Sequence, residues 1–594
     1  MKANADIFVE VSWEICNKVG GIYTVVSSKA AQMLSYYKQD SFFMVGPYFP
    51  KKAYGIFEEK LPPPEIKKVF EKLREMGIDC HYGVWNIQGE PIAILVDTAN
   101  YQSQTNQIKK ELWDQYQVDS LTTSFNDFGE PVLWGRAVGI LLHELSKAYP
   151  RKKMVAQFHE WLAGSALLHL NNIKSRIGTV FTTHATMLGR TLATAGVNLY
   201  AELKNIDPQK EAFERGIQAK WLMEKECATN ANIFTTVSEI TGIEAEHLLG
   251  RKPDVLLFNG LDMAKFPSFE EVSIKHKLFK NKMKEFLLYY FFPYYSFDLA
   301  NALLYFIAGR YEFHDKGIDI FISSLARLNN ILKEEKSDQT IIAFFFVPGN
   351  IKGIRPELLQ AKTQFQDVKD ELEVDLPEIK NKILHALLSK KKLSQSTLFD
   401  KDIWKDLKTK IAKTKAKGNP PLSTHDLYNE ETDEIISACK AQGLLNRKED
   451  NVKIVYYPIY LTGADGLLNT SYYESMVGSH LGVFPSFYEP WGYTPLEAAA
   501  LGVGSVTTDL AGFGRYISKE PSKSKQPGVW VLKRFNIPDN KVTDELTNTL
   551  HNFTHLTKQQ RVENKIVARS LAQKADWKVF AKRYIEAHNL SIKK

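Results

Sequence analysis

The chain has 594 residues, 44% hydrophobic and 24% charged, with a formal net charge of +7. That composition excludes a disordered or fibrous chain, and the length exceeds what one core supports, so two or more domains are expected. The small positive excess reads as a solvated basic surface and gives no ground for a nucleic-acid partner.

Cys16, Cys80, Cys227 and Cys439 form no CxxC or Cys/His ligand spacing. They read as reduced thiols of a cytoplasmic protein without structural zinc. The N-terminus carries no apolar signal run, and no stretch approaches the ~20 apolar residues of a membrane span. FLLYYFFPYY (286–295) is interrupted by Pro293 and reads as core or interface.

In chain order, DIFVEVSWEI (6–15) reads as a buried strand, followed by Gly20-Gly21 and a helix carrying IYTVVSSKAAQML. AILVDT (93–98), MVAQFHE (154–160), TVFTTHA (179–185) and IFTTVSE (233–239) repeat the theme of a strand ending in polar residues. The segment 268–300 reads as helical and connects this series to a second. The second comprises LYFIAGR (304–310), TIIAFFFVPG (340–349), KIVYYPIYL (453–461), LGVFPS (481–486) and SVTTDLAG (505–512). Strands alternating with helices predict an α/β fold with two doubly wound, Rossmann-like domains, 1–285 and 286–560, followed by C-terminal helices over 561–594. Within the second, about 362–450 loses its strand signals and reads as a helical insertion. Its Lys390-Lys391-Lys392 run reads as a solvated face, with a hairpin for self-association as the sharper alternative.

The densest chemistry lies in GVFPSFYEPWGYTPLEAAALG (482–502), where Glu489 and Glu497 stand eight positions apart. Thr494, Pro495 and Glu497 fit the N-cap, first and third positions of a helix, so Glu497 reads equally as a capping residue and as a ligand contact. Glu489 has no such local role. It leaves the end of a strand, in a loop bent by Pro490 and Gly492, beside a helix start able to hold a phosphate. Arg310 and Lys316 follow another strand and suit a departing diphosphate. His184 and Arg190 follow a third. Lys18 with Gly20-Gly21 resembles a phosphate-approach loop, although it is neither GxGxxG nor a P-loop.

Taken with NKVGGIYTVV, AQFHEWLAG, FTTHATMLGR, FTTVSEITGIEAEHLLGRKPD, FNGLD and FIAGRYEFHDKGIDIF, this chain resembles the glycogen synthases of animals and fungi, glycosyltransferase family 3. The resemblance implies the glycosyltransferase-B fold, two domains facing across a cleft, with the C-terminal helices packing back on the first. It implies retaining transfer of glucose from UDP-glucose to the 4-hydroxyl at the non-reducing end of glycogen or another α-1,4-glucan, with no cofactor and no metal. Lys18, Gly20 and Gly21 are then expected at the diphosphate and closing cleft. His184 and Arg190 fall on the donor glucose and its phosphate, Arg310 and Lys316 on the leaving diphosphate, and Glu489 on the glucose ring. Trp491, Gly492 and Tyr493 surround that carboxylate, Thr494 marks the phosphate-binding helix end, and Tyr460 and Tyr472 flank the uracil. Glu497 completes the family's paired-glutamate pattern. Front-face attack and double displacement through Glu489 both remain open.

The family carries an arginine-rich C-terminal helix that senses glucose 6-phosphate. Here QRVENKIVARSLAQKADWKVFAKRYIEAHN (560–589) keeps Arg561, Lys565 and Arg569 but not the dense cluster, although His276 and Lys280 match sugar-phosphate positions. The expectation is a weak or absent response to glucose 6-phosphate. The resemblance further implies a homo-oligomer, a tetramer through the insertion, and a primer protein as partner; no membrane is expected. Alternatives are a phosphorylase with lysine-bound pyridoxal phosphate, an ADP-glucose synthase and an inactive glucan-binding scaffold.

Overall fold

The computed structural model describes residues 2–520 and 524–593. Among these, the N-terminal half forms a nine-stranded sheet built from β1 (Ile7–Val11), β2 (Phe42–Pro47), β3 (Phe57–Glu59), β4 (Asp79–Trp85), β5 (Ile92–Asp97), β6 (Met154–His159), β7 (Gly178–Thr183), β8 (Ile233–Thr236) and β9 (Val255–Leu256). The order is β3-β4-β5-β2-β1-β6-β7-β8-β9. All neighbours pair in parallel except β4, which runs antiparallel to β3 and β5. Continuous apolar runs such as IFVEV are buried on both faces because helices cover both.

The second sheet contains β10 (Leu303–Ala308), β11 (Ile341–Phe346), β14 (Val452–Tyr456), β15 (Leu481–Val483), β16 (Gly504–Thr508) and β17 (Val529–Leu532), all parallel, ordered β14-β11-β10-β15-β16-β17. A small antiparallel pair, β12 (Ile351–Ile354) with β13 (His425–Leu427), lies beside it. Each large sheet reverses its winding about its first strand, β1 and β10, and a crevice opens at the carboxyl ends of the strands there. The two-domain α/β reading holds, and the strand ends singled out above face this crevice.

The helix Phe269–Phe291 starts in a capping box between Ser268 and Glu271 and runs unbroken through the expected boundary at 285. Phe286, Leu287, Tyr290 and Phe291 enter the second core, so the connecting helix belongs with that sheet. The boundary at 561 likewise falls inside the helix Lys558–Lys574. The final helix, Trp577–Ser591, buries Trp577, Phe580, Tyr584 and His588 against the first half, and Trp577 Nε1 donates to Ser28 Oγ at 2.8 Å.

The insertion is shorter than expected. Its helices are Pro356–Leu388 and Lys401–Lys413, with a short turn at Gln395–Leu398. From Leu422 the chain re-enters the core with β13 and the helix Glu434–Ala441, whose Ile435, Ile436 and Cys439 are buried. Lysine-rich flanks mask this return, because the apolar residues of 422–444 are too short a series to register against them. All four cysteines are buried and unpaired.

Candidate active site

A cavity of about 600 Å³ lies between the two sheets and collects residues from both. From the first sheet come Gly20 and Gly21 after β1, Glu160 after β6, and His184 and Arg190 after β7. From the second come Gly309, Arg310 and Lys316 after β10, and the run Tyr488–Pro495 after β15. Hydrogen bonds bridge the halves around it: Thr194 Oγ1 donates to Asp315 Oδ2 at 2.8 Å and Tyr488 Oη to Glu244 Oε2 at 3.1 Å.

Lys316 Nζ meets Glu489 Oε2 at 2.6 Å, and Glu312 Oε2 is 3.8 Å from the same ammonium. Arg310 is largely exposed and pairs with Glu312 at 2.9 Å. The sequence reading gives Lys316 to phosphate and Glu489 to sugar; the fold joins them into one ion pair. A ligand with an anionic end and hydroxyls can part this pair and satisfy both halves.

The helix start beside Glu489 departs from the capping reading. The helix is Tyr493–Ala500, its N-cap is Gly492, and no side chain caps it. Gly492 has φ +102°, a conformation that disfavours any Cβ. Thr494 is therefore inside the first turn, and the amides there are free to face an anion. Glu497 does not complete a box. It is buried and accepts from Tyr472 Oη at 3.0 Å and Tyr473 Oη at 2.8 Å.

Burial pushes the Glu497 carboxyl up to about 7, with the two phenols acting in the opposite direction. A carboxyl raised in the folded state stabilises fully below its unfolded pKa and loses that contribution as pH rises through about 7. Glu497→Gln cannot ionise. Relative to the parent, it should gain on the order of 3 kcal/mol in unfolding free energy between pH ~4 and ~8, checked by urea melts across that range.

Gly20 and Gly21 do line the cleft, but the amides of Gly20 and Tyr23 already bind Glu14 Oε2, at 2.6 and 2.9 Å. The chain thus supplies its own anion to this helix start. Lys18 lies around the corner, in an adjoining cavity of about 420 Å³ that Glu497, Tyr473 and Ser27 also line. Trp491 buries its indole against Phe258 and Phe580, and Tyr493 Oη donates to Gly260 O at 3.2 Å. Tyr460 is 75% exposed and lines neither cavity, while Tyr472 lines neither but meets Glu497 and Thr494 at their edges.

His184 stands at the end of a buried relay. Its Nε2 is 2.8 Å from His159 Nδ1, His159 Nε2 is 3.0 Å from Glu10 Oε1, and Lys29 pairs with the same carboxylate oxygen. Burial would raise Glu10, but Lys29 and His159 hold it down to about 2. Ionised, it can only accept. His159 therefore carries its proton on Nε2, and its bare Nδ1 accepts from His184 Nε2–H. Burial keeps both rings neutral, and His184 is pushed down further by His159 and Lys29. His184 lines the cavity, and with its proton on Nε2 its Nδ1 is an acceptor. It suits a hydroxyl donor and cannot donate to a phosphate, so of the expected pair only Arg190 fits the anion.

Glu160 escapes the sequence reading, although AQFHEWLAG contains it. Its φ of 63° and ψ of 169° lie in a region adopted almost only by glycine. The carboxylate accepts from the His184 and Ala185 amides at 2.8 and 3.2 Å. Burial pushes it up to about 7, against Arg190 and those amides. The available signal is a polar residue directly following a strand end, the same feature that marks the other three strands.

A third cavity, of about 280 Å³, opens between the helices Phe269–Phe291 and Lys558–Lys574. His276, Lys280, Lys284, His480, Lys558, Arg561 and Lys565 line it. Among the described residues, none of these seven pairs with a carboxylate. Burial, then Lys280 and Arg561, pushes Lys565 down to about 7.

Among solved structures, the catalytic domain of starch synthase IV from Arabidopsis thaliana, bound to ADP and acarbose, superposes with a TM-score of 0.53. It is 12% identical, with both chains fully covered, and this likeness concerns the glycosyltransferase-B fold. Mouse liver glycogen [starch] synthase is 35% identical over 99% of this chain and 83% of its own. The Neurospora crassa glycogen [starch] synthase is 36% identical over 99% and 84%. The family profile described as glycogen synthase matches residues 10–594. This chain belongs to the glycogen synthase family and is a glucosyltransferase of glycosyltransferase-B architecture.

Proposed function

We propose that the cleft transfers glucose from UDP-glucose to the non-reducing 4-hydroxyl of an α-1,4-glucan, with retention and without a metal. The observation that carries this reading is the Lys316–Glu489 pair at 2.6 Å, flanked by Arg310, Arg190 and an uncapped helix start. Three fixed cations and a helix dipole supply the charge that a departing diphosphate needs. Glu489 and the acceptor nitrogen of His184 meet sugar hydroxyls. The reading requires the two halves to close over the donor and exclude water from it. Glucose incorporation into glycogen from UDP-glucose and from ADP-glucose, each with EDTA, tests this. The reading requires EDTA-insensitive transfer that prefers UDP-glucose, and it fails if neither donor is used.

The basic cavity argues against the expected indifference to glucose 6-phosphate. Lys280, Arg561 and Lys565 converge without carboxylate partners, an arrangement that calls for an anion. We propose that it takes the phosphate ester. Because Lys565 titrates near 7, the bound anion draws a proton and affinity falls as pH rises above that value. Calorimetry at pH ~6.5 and ~8.5 checks the sign, and Arg561→Ala should weaken binding about tenfold or more.

The insertion carries Val374, Leu376, Leu387 and Leu388 exposed to 80, 57, 62 and 85%. We propose that these exposed apolar side chains of the insertion join copies of the chain into a homo-oligomer. Light scattering should report a smaller particle for Val374→Asp/Leu388→Asp.

A further inference from the structure

Two helices of the second sheet's outer layer end together on the surface. Ile318–Glu334 terminates at its C-cap Glu335, and Asp539–Thr554 carries His551 in its last turn with His555 as its C-cap. His551 Nε2 is 2.9 Å from Glu335 Oε1 and 3.2 Å from His555 Nε2. All three atoms lie within 4.8 Å of one another.

Hydrogen bonding alone satisfies this triangle poorly. A neutral imidazole carries one proton, so a single His551 Nε2–H must serve both the carboxylate and the second ring nitrogen. If His555 instead carries its proton on Nε2, two N–H groups oppose each other. Three lone pairs can all be used at once by one cation at their centre. The spacing fits: metal–nitrogen bonds of about 2.0–2.1 Å at a tetrahedral angle separate two ligand nitrogens by about 3.3 Å. The i, i+4 relation of His551 and His555 places both rings on one helix face. Glu335 has no Lys or Arg within ion-pair distance among the described residues, its pairing being with His551 alone. The other His/carboxylate grouping, His314 with Asp319 and Asp539, differs: Arg534 already neutralises Asp539 at 2.9 Å.

We infer that Glu335, His551 and His555 form a surface site for a zinc-class divalent ion, with the fourth position open to water. Two imidazole nitrogens and one carboxylate select Zn²⁺, Co²⁺ or Ni²⁺ over Mg²⁺ and Ca²⁺, which require oxygen shells. The ion clamps the ends of two packed helices. It sits a full helix away from the Lys316 loop, about 25 Å for the 17 residues of Ile318–Glu334. Its role is therefore structural, and the cleft chemistry proceeds without it.

The test titrates Zn²⁺ and Mg²⁺ into the metal-stripped full chain, with His555→Gln and Glu335→Gln alongside. Both substitutions fall on exposed side chains, which protects the fold. The expected result is one Zn²⁺ per parent chain with Kd below about 10 μM and a melting temperature raised by about 1–3 °C. Mg²⁺ should have no effect. Each variant should weaken Zn²⁺ binding tenfold or more and abolish the thermal shift, with glucose transfer unchanged. Zn²⁺ binding of equal strength in parent and both variants, or no stoichiometric binding to the parent, overturns the inference.

Discussion

Lys316→Ala lowers kcat for glucose transfer about 10²–10³-fold, the loss expected when one preorganised donor is removed from a developing oxyanion. The ammonium lies 2.6 Å from Glu489 and is only 17% exposed, so water replaces it poorly. The substitution also leaves Glu489 without its counter-ion in a partly closed cleft. The two effects separate in a cycle with Glu489→Gln. If the pair acts as one unit, parted and bridged by the donor, the double variant costs little more than Lys316→Ala alone. Steady-state kinetics with UDP-glucose reads the four chains. Additive losses would mean that Lys316 and Glu489 serve independent steps.

Lys29→Met destabilises the fold by about 3–5 kcal/mol, the cost of leaving a buried carboxylate unpaired. Lys29 and Glu10 are both fully buried, and the ring of Tyr584 lies 4.1 Å from the ammonium. The double variant Glu10→Gln/Lys29→Met removes both charges and should recover most of that loss, since well-packed neutral pairs often match buried ion pairs. Activity should not recover. The amide that replaces the Glu10 carboxylate can donate to His159 as readily as accept, so the proton order along the relay is no longer imposed. On the proposed reading, in which His184 meets a sugar hydroxyl, the ring is then a mixture of acceptor and donor, and kcat/KM falls about tenfold or more. Urea melts and kinetics on the parent and both variants check the two halves. Restored stability together with restored activity would show that the relay only fills space.

The alternation of buried runs with helical segments is legible because parallel strands covered on both faces are short runs dominated by β-branched and aromatic residues: IFVEV, TVFTT, LLYFIA and IIAFFF stand out at once. FFMVGP and VWVL form strands as well, yet they are short or flanked by aromatic and charged residues and carry no such signal. Residues 422–450 merge with the insertion in sequence for the same reason. Sheet pairing with Ile351–Ile354, contributed from more than 70 residues away, makes a strand of His425–Leu427.

The site divides along similar lines. Glu489, Arg310, Lys316, His184 and Arg190 can be named from sequence because each follows a strand, and strand ends in wound sheets face the crevice. Which of them touch cannot be read there. Glu497 resembles a cap because local spacing permits one; the tyrosine hydroxyls that claim it come from a different helix. Glu10 resembles an ordinary residue of a buried strand, and only its neighbours across three elements turn it into the anchor of His184. The wound-sheet architecture was therefore determined by sequence through local hydrophobic order, and the strand-end residues by their places after those strands, while the family was legible only as a resemblance carried by whole motifs. The Lys316–Glu489 pair, the tautomer of His184, the strained Glu160 and the zinc-class triangle were decided by tertiary structure. Each depends on charges brought within 3 Å or so by chain segments far apart in sequence, where desolvation sets their protonation and pairing.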